Sequence, residues 1–404
     1  MSRVLWSVSD TIVMTYLSLY ILELGGSKPA IGLINAAGGF AASLLYPLGG
    51  YIADKAGRAR LVGLATVLYI SSFLILALAP SWQWLAVGIV YQQGVLFYMP
   101  ALNAIMADSI PIGARGRIYA FTVAVPNAAR IVAPYLGGYL IAVYTLQPAM
   151  RLGYTLAFLI GMVVAFIRVR YLKETVKSEE KIGRNIPGIL KESYSNVFSS
   201  LRWVFSNIRG FAVMAMLLAF IGNLVMPFWV VYAKEVIGLS AYDWGVVQLL
   251  GGITTTLASL VIGNLVDKLG TKKCMEISLG LAIPLMVLFT QASSFIQVIP
   301  IYLALVVSGA FLWITSSVFL ADNIPRAMRG RVMAGLGQGV STGVGGGGWA
   351  SGFISFIPMS IGSFTSGYIY SINPAYPWLI QSVFLTVALL LSVLVIHDRE
   401  KAEQ

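Results

Sequence analysis

Twelve stretches of this chain are apolar for long enough to cross a lipid bilayer, and this limits the fold more than any other feature. They run at about 4–23, 31–53, 60–79, 83–107, 117–142, 150–171, 209–233, 243–266, 273–292, 297–321, 331–370 and 376–396. A membrane helix needs about 20 consecutive apolar residues. In hydrocarbon every backbone N–H and C=O must be bonded within the spanning element, so only helices and closed barrels cross. The runs are continuous rather than alternating, which argues against an outer-membrane barrel. Composition agrees: 58% of the 404 residues are hydrophobic and 11% are charged, against about 25% charged in soluble domains. The expected fold class is an all-α integral membrane protein of twelve transmembrane helices.

One cysteine (Cys274) and one histidine (His397) supply no disulfide framework, no zinc or haem centre and no Cys–His nucleophile. The loops are too short for a catalytic domain. No cofactor, no metal and no catalytic residue is therefore expected, and the chain is not read as an enzyme. The net charge of +11 would suggest nucleic acid in a soluble protein. In a membrane protein it reflects Lys and Arg collected in cytoplasmic loops, so no nucleic-acid partner is expected. With both termini inside, the cytoplasmic loops carry Lys55, Arg58, Arg60, Arg115, Arg117, Lys268, Lys272, Lys273, Arg326, Arg329 and Arg331. The outer loops carry only Lys28, Arg151 and Lys234. The expected location is the cell membrane, multi-pass. Residues 4–22 carry Asp10 and no small-residue cleavage site, so they read as a first membrane helix. Trp82, Trp84, Trp244 and Trp378 are expected at outer helix ends, as interfacial anchors.

The one long polar stretch, Leu172–Asn207, separates segments six and seven. Within it Ile186, Leu190, Tyr194, Val197, Leu201 and Val204 recur at three- and four-residue spacing, the stripe of an amphipathic helix on the membrane surface or against helix ends. The expected organisation is a six-helix bundle over 1–172, a cytoplasmic linker over 173–208 and a second six-helix bundle over 209–404.

The two halves repeat each other at an offset of about 213 residues. Gly38-Gly39 matches Gly251-Gly252. Gly50-x3-Asp54-Lys55-x-Gly57 matches Gly263-x3-Asp267-Lys268-x-Gly270. Ala107-Asp108-Ser109-Ile110-Pro111-x3-Arg115-Gly116-Arg117 matches Ala321-Asp322-Asn323-Ile324-Pro325-x3-Arg329-Gly330-Arg331. Spacing kept over two loops per half implies two pseudo-symmetric bundles of one ancestry, an arrangement suited to alternating access around a midplane site.

Gly50–Arg60 resembles motif A of the major facilitator superfamily, with Gly263–Lys273 as its second copy and Thr271 where the family usually has Arg. The resemblance covers the whole chain, in twelve spans arranged six plus six. It implies that Gly50, Asp54, Gly57, Arg58, Asp108 and Arg117, with Gly263, Asp267, Gly270, Asp322 and Arg331, form a cytoplasmic gate. Asp54 would face the N-terminus of helix eleven, and Arg58 would pair with Asp108. In segment five, Ala120-x8-Ala129-x3-Ala133-Pro134-x2-Gly137-Gly138 has the spacing of motif C of the superfamily's drug/proton antiporters, with alanine at three of its glycine positions. A small-residue packing face would read the same way. Gln93-Gly94 fits motif B of segment four, but Val90 stands where that motif places its Arg.

Two charges fall well inside spans, Asp10 and Arg130. Each costs about 2.5–3.5 kcal/mol near the bilayer centre. They are read as a proton-coupling site or, equally physically, as an ion pair bracing the bundle. Asn35, Gln92, Gln93, Asn103, Asn127, Asn223, Gln248 and Gln338 are candidate cavity groups, with Trp229 and Trp313 as flat apolar surfaces. Cys274 is expected to be inert. Segment eleven is about 15 residues longer than its counterpart and holds Gly345–Gly348. Each glycine costs about 1 kcal/mol in a helix, so a break is expected within 341–352. The function expected first is proton-coupled export of small amphipathic organic solutes by a monomer whose partners are lipid, protons and a small-molecule substrate. Uptake of a small organic anion at Arg130 is the alternative, and a non-transporting sensor the third.

Overall fold

The computed structural model describes residues 7, 10–109, 115–174, 186–325, 332–333, 335–344 and 352–396. His397 and Gly345–Gly348 lie outside them. Residues 10–14 are helical, the backbone loosens into a turn at Thr15 and Tyr16, and α1 (Leu17–Glu23) resumes the helix. There follow α2 (Lys28–Ala56), α3 (Arg58–Ala77), α4 (Trp82–Val95) and α5 (Met99–Ser109), the last two joined by a 3-10 turn at Leu96–Tyr98. Then come α6 (Arg115–Tyr144), α7 (Leu146–Tyr171), α8 (Ile186–Asn207) and α9 (Arg209–Val225). A second 3-10 turn at Met226–Phe228 leads into α10 (Trp229–Glu235). The chain continues through α11 (Ala241–Leu269), α12 (Thr271–Gln291), α13 (Phe295–Asn323), α14 (Phe353–Ile372) and α15 (Tyr376–Val395). Among the described residues, nine helices are long and apolar enough to cross a membrane. Phe166, Leu260, Ile372 and Leu394 are more than three-fifths exposed, which hydrocarbon surroundings tolerate and water would not.

The chain divides into two compact units. The first is Met1–Ser27, Ala37–Ser195 and Ser240–Leu249; the second is Lys28–Ala36, Asn196–Leu239 and Leu250–Gln404. Each therefore incorporates the first turns of one helix from the other half of the sequence. In the first unit α3 packs along α7 and α4. Its core is aromatic, with Tyr69 edge-on to Phe73 at 5.6 Å and Tyr20 tilted against Tyr154 at 6.1 Å. Small residues let the helices close: a Cβ on Gly161 would lie 2.8 Å from Ile70.

In the second unit α12 and α13 are tied by reciprocal bonds, Ser278 Oγ donating to Ser308 O at 2.7 Å and Ser308 Oγ to Ser278 O at 2.8 Å. Trp229 sits edge-on to Phe289 (4.6 Å), Tyr302 (5.9 Å) and Trp378 (5.4 Å). Tyr232 joins the cluster 4.6 Å from Trp378. Trp378 and Trp244 thus depart from the interfacial role expected of them, being 0% and 1% exposed. Trp84, 53% exposed, keeps an outward position. At its first residue Lys28 pairs with Glu235 at 2.9 Å, a contact within the second unit.

The amphipathic stretch folds as α8 over the expected residues. Its stripe is partly used inside the protein: Val204 is buried, and the Tyr194 hydroxyl donates to Leu44 O at 2.6 Å. Desolvation there pushes the Tyr194 phenol up. Phe198 and Phe205 remain exposed.

Candidate functional site

The first unit concentrates its buried polar chemistry around segment one. Asp10 is 6% exposed, and its Oδ1 accepts from the Tyr69 hydroxyl of α3 at 3.1 Å. Arg130 of α6 reaches the same helix but not the carboxylate: its Nε donates to Thr11 Oγ1 at 3.2 Å. The two charges are electrostatic neighbours without a direct ion pair. A third charge belongs here that the sequence reading missed. Arg168, near the end of α7, is 2% exposed and donates to Thr66 Oγ1 at 2.9 Å and the Tyr98 hydroxyl at 3.5 Å.

The motif-C segment forms a second constellation in this unit. The Tyr16 hydroxyl lies 2.7 Å from Pro134 O and 3.0 Å from Ala241 O, tying segment one to α6 and to the first turn of α11. A Cβ on Gly138 would come within 2.5 Å of Ala241 O, and one on Gly245 within 2.8 Å of Pro134 O. Tyr135 and Tyr242 meet beside them through their hydroxyls at 3.3 Å. The glycines are needed because two helix backbones pass in contact.

The two motif-A turns share one geometry. Gly57 precedes α3 at φ 91°, and Gly270 precedes α12 at φ 80°, a region that favours glycine. At the first turn the Glu174 carboxylate accepts from the backbone N–H groups of Arg58 (3.0 Å) and Ala59 (2.9 Å). It thereby caps two of the orphan donors at the start of α3. Sequence reasoning did not single out Glu174. In the second copy Asp267 and Asp322 are exposed. The side chains of Asp54, Asn103, Asp108 and Arg117, the surroundings of Gly50, and all of Arg331 lie outside the described residues. The expected Arg58–Asp108 pair therefore falls outside them too.

Segment eleven is non-helical over 337–344, and α14 begins only at Phe353. The irregular stretch starts four residues before the range expected for it. Its backbone groups find side chains: Val340 N–H donates to Ser316 Oγ at 2.9 Å, and Gln381 Nε2 donates to Thr342 O at 2.6 Å. Gly343, at φ 85°, lies against Gly222 of α9. Irregular backbone at membrane depth is stable only with such partners.

The candidate cavity residues are divided between the two units. Asn35 and Asn223 each donate to a carbonyl one turn back on their own helix. Gln93 lies against Gly38. Gln92 is fully buried on α4 and has no hydrogen-bond partner among the described residues. Asn127 and Gln338 are exposed, and Gln248 and Trp313 are half-buried. Trp229 faces the aromatic core of its own unit. Cys274 is buried.

The family description "Major Facilitator Superfamily" matches residues 2–348 and 211–404. The chain is 24% identical over 380 residues to multidrug resistance protein 2 of Bacillus subtilis, covering 91% of this chain and 86% of that one. It is 23% identical to multidrug resistance protein MdtG of Proteus mirabilis, covering 80% of each. The fold is similar to a bacterial homologue of the human lysosomal transporter Spinster, with TM-score 0.69, 16% identity and coverage of 97% and 94%. With the two-fold repeat and the paired motif-A turns, these matches make the chain a member of the Major Facilitator Superfamily, a membrane transporter and not an enzyme.

Proposed function

We propose that this transporter exports small amphipathic organic solutes in exchange for protons, working as a monomer by alternating access in the cell membrane with both termini cytoplasmic. The observation that carries the coupling is Asp10, a carboxyl group enclosed at membrane depth and held by one phenol. Such groups are rare in spans and mark ion pathways. Support for export comes from the two similar multidrug resistance proteins and from the motif-C segment, whose glycines carry the contact with α11. Arg130 favours a second reading, uptake of a small organic anion, because its guanidinium is half-buried and bonded to Thr11 rather than to a carboxylate.

Proteoliposomes with an imposed pH gradient test both. A fluorescent amphipathic cation moving against protons, with the movement lost in Asp10→Asn, supports export. Organic anions moving with protons, with affinity lost in Arg130→Ala, supports uptake. Transport of either kind that still concentrates substrate with Asn at position 10 removes Asp10 from the coupling.

A further inference from the structure

We propose that the outward side of α8 docks on anionic phospholipid headgroups of the inner leaflet, with Phe198 and Phe205 as its apolar anchors and Arg202 and Arg209 as its headgroup contacts. The choice of leaflet rests on the orientation proposed above; the docking does not.

The stripe that sequence spacing picks out on this helix is largely turned inward. Val204 is buried, Ser193 and Ile208 are buried on the same side, and Tyr194 is half-buried with its hydroxyl on Leu44 O. A different set faces out. Phe198 is 60% exposed and Phe205 42%, and Arg202 and Arg209 are exposed. Phe198, Arg202 and Phe205 follow at steps of four and three residues, so they share one helix face. Arg209 opens α9 four residues further on. Among the described residues neither arginine makes an ion pair. Phe198 stands edge-on to Phe353, the first residue of α14, at 6.5 Å. Packing on one side thus orients the ring and leaves its other side open.

Two bare rings interleaved with two cations suit neither water nor hydrocarbon. The headgroup layer takes both: rings enter the acyl boundary while guanidinium groups fork onto phosphate oxygens. The placement of α8 agrees at each end, within each unit separately. At its C-terminal end the chain passes directly into Arg209–Glu235, a stretch long and apolar enough to cross the membrane. Phe205 and Arg202 therefore lie where a span enters the bilayer. Near the other end Tyr194 is bonded to Leu44, five residues inside the Gly49 limit of the apolar stretch Lys28–Gly49. At 1.5 Å per residue that is about 8 Å, the depth to which interfacial helices sink their apolar side.

Ser206 is exposed on α8 beside this face and reports on it. In a Cys274→Ser background, Ser206→Cys carries a polarity-sensitive fluorophore. The full chain is placed singly in nanodiscs of phosphatidylcholine, alone or mixed with phosphatidylglycerol. Phosphatidylglycerol is expected to shift the emission to the blue and to reduce quenching by acrylamide. Salt at 1 M reverses most of the change, because the screening length falls to about 3 Å. Arg202→Ala and Arg209→Ala each lower the docked-to-undocked ratio about fivefold, and Arg202→Lys keeps it within about twofold. Replacing both Phe198 and Phe205 by Ser abolishes the shift. Emission that is the same with and without phosphatidylglycerol overturns the proposal, as does a shift that neither Arg→Ala variant changes. Protection that needs two copies per disc, whatever the lipid, makes this face a dimer contact and overturns it too. If the double Phe variant does not fold, the two Arg→Ala variants decide the matter alone.

Discussion

Gly138→Ala tests whether the motif-C segment is a packing face that a single methyl can pry open. The added Cβ would sit 2.5 Å from Ala241 O, 2.8 Å from the Tyr16 hydroxyl and 3.0 Å from the Tyr242 Cα. An ordinary carbon–oxygen contact is about 3.3 Å, so α11's first turn must withdraw by roughly 0.8 Å. Two of the three obstacles are backbone atoms and cannot swing aside. Overpacking of this kind costs about 1–3 kcal/mol. The withdrawal also stretches the Tyr16 bond to Ala241 O, worth about 0.6 kcal/mol on the bilayer average. Together these shift the equilibrium away from this packing by roughly 15- to 400-fold, at 1.4 kcal/mol per decade. Tyr16→Phe is the control: it removes the hydroxyl bonds without adding volume, and is expected to cost about 1 kcal/mol. The assay is labelling of a cysteine at Tyr242 in a Cys274→Ser background. Its reactivity rises strongly in Gly138→Ala and modestly in Tyr16→Phe. Equal labelling and equal melting temperature for Gly138→Ala and parent would refute the argument.

Three further outcomes are expected. Glu174→Ala uncovers two backbone donors at the start of α3; it should lower stability by about 0.5–1 kcal/mol, with Glu174→Gln recovering part of it in a melting assay. Trp378→Ala should cost about 3–5 kcal/mol by emptying the second unit's aromatic core, while Trp84→Ala stays within about 0.5 kcal/mol. Cysteines at Ser27, Ser81 and Ser240 should react with an impermeant thiol reagent from outside and one at Ala59 should not; the reverse would overturn the orientation.

The spans, the repeat and the amphipathic α8 were legible because each is written in local pattern: run length, spacing or period. The glycine run that led to the expected break in segment eleven lies outside the described residues, and the non-helical stretch seen, 337–344, begins ahead of it. Rotation of a helix about its own axis was not legible. In a bilayer the lipid-facing side is as apolar as the packed side, so nothing told that Trp378 turns inward while Trp84 turns outward. Arg168 had the same ambiguity. A cation close to the end of a span ordinarily reaches back to the interface, and only the neighbouring Thr66 and Tyr98, distant in sequence, reveal that it stays inside. Glu174 looked like one loop charge among several. Its partners are backbone N–H groups, which have no sequence signature at all. Asp10 and Arg130 stood out because the cost of a charge inside a span is independent of where it points.

The crossing of helix ends between the two units has a consequence for biogenesis. Gly32 and its neighbours at the start of α2 pack on Ser363, Phe364 and Gly367, which leave the ribosome near the end of synthesis. The opening turns of α11 pack on α6, made long before. Neither half can therefore finish its native contacts while the other is absent. The first must wait in the bilayer with an unfilled face, the period in which multi-part chains most often misassemble. Halves produced as separate polypeptides should each be degraded when alone and recover together, because the missing surface of each is carried by its counterpart.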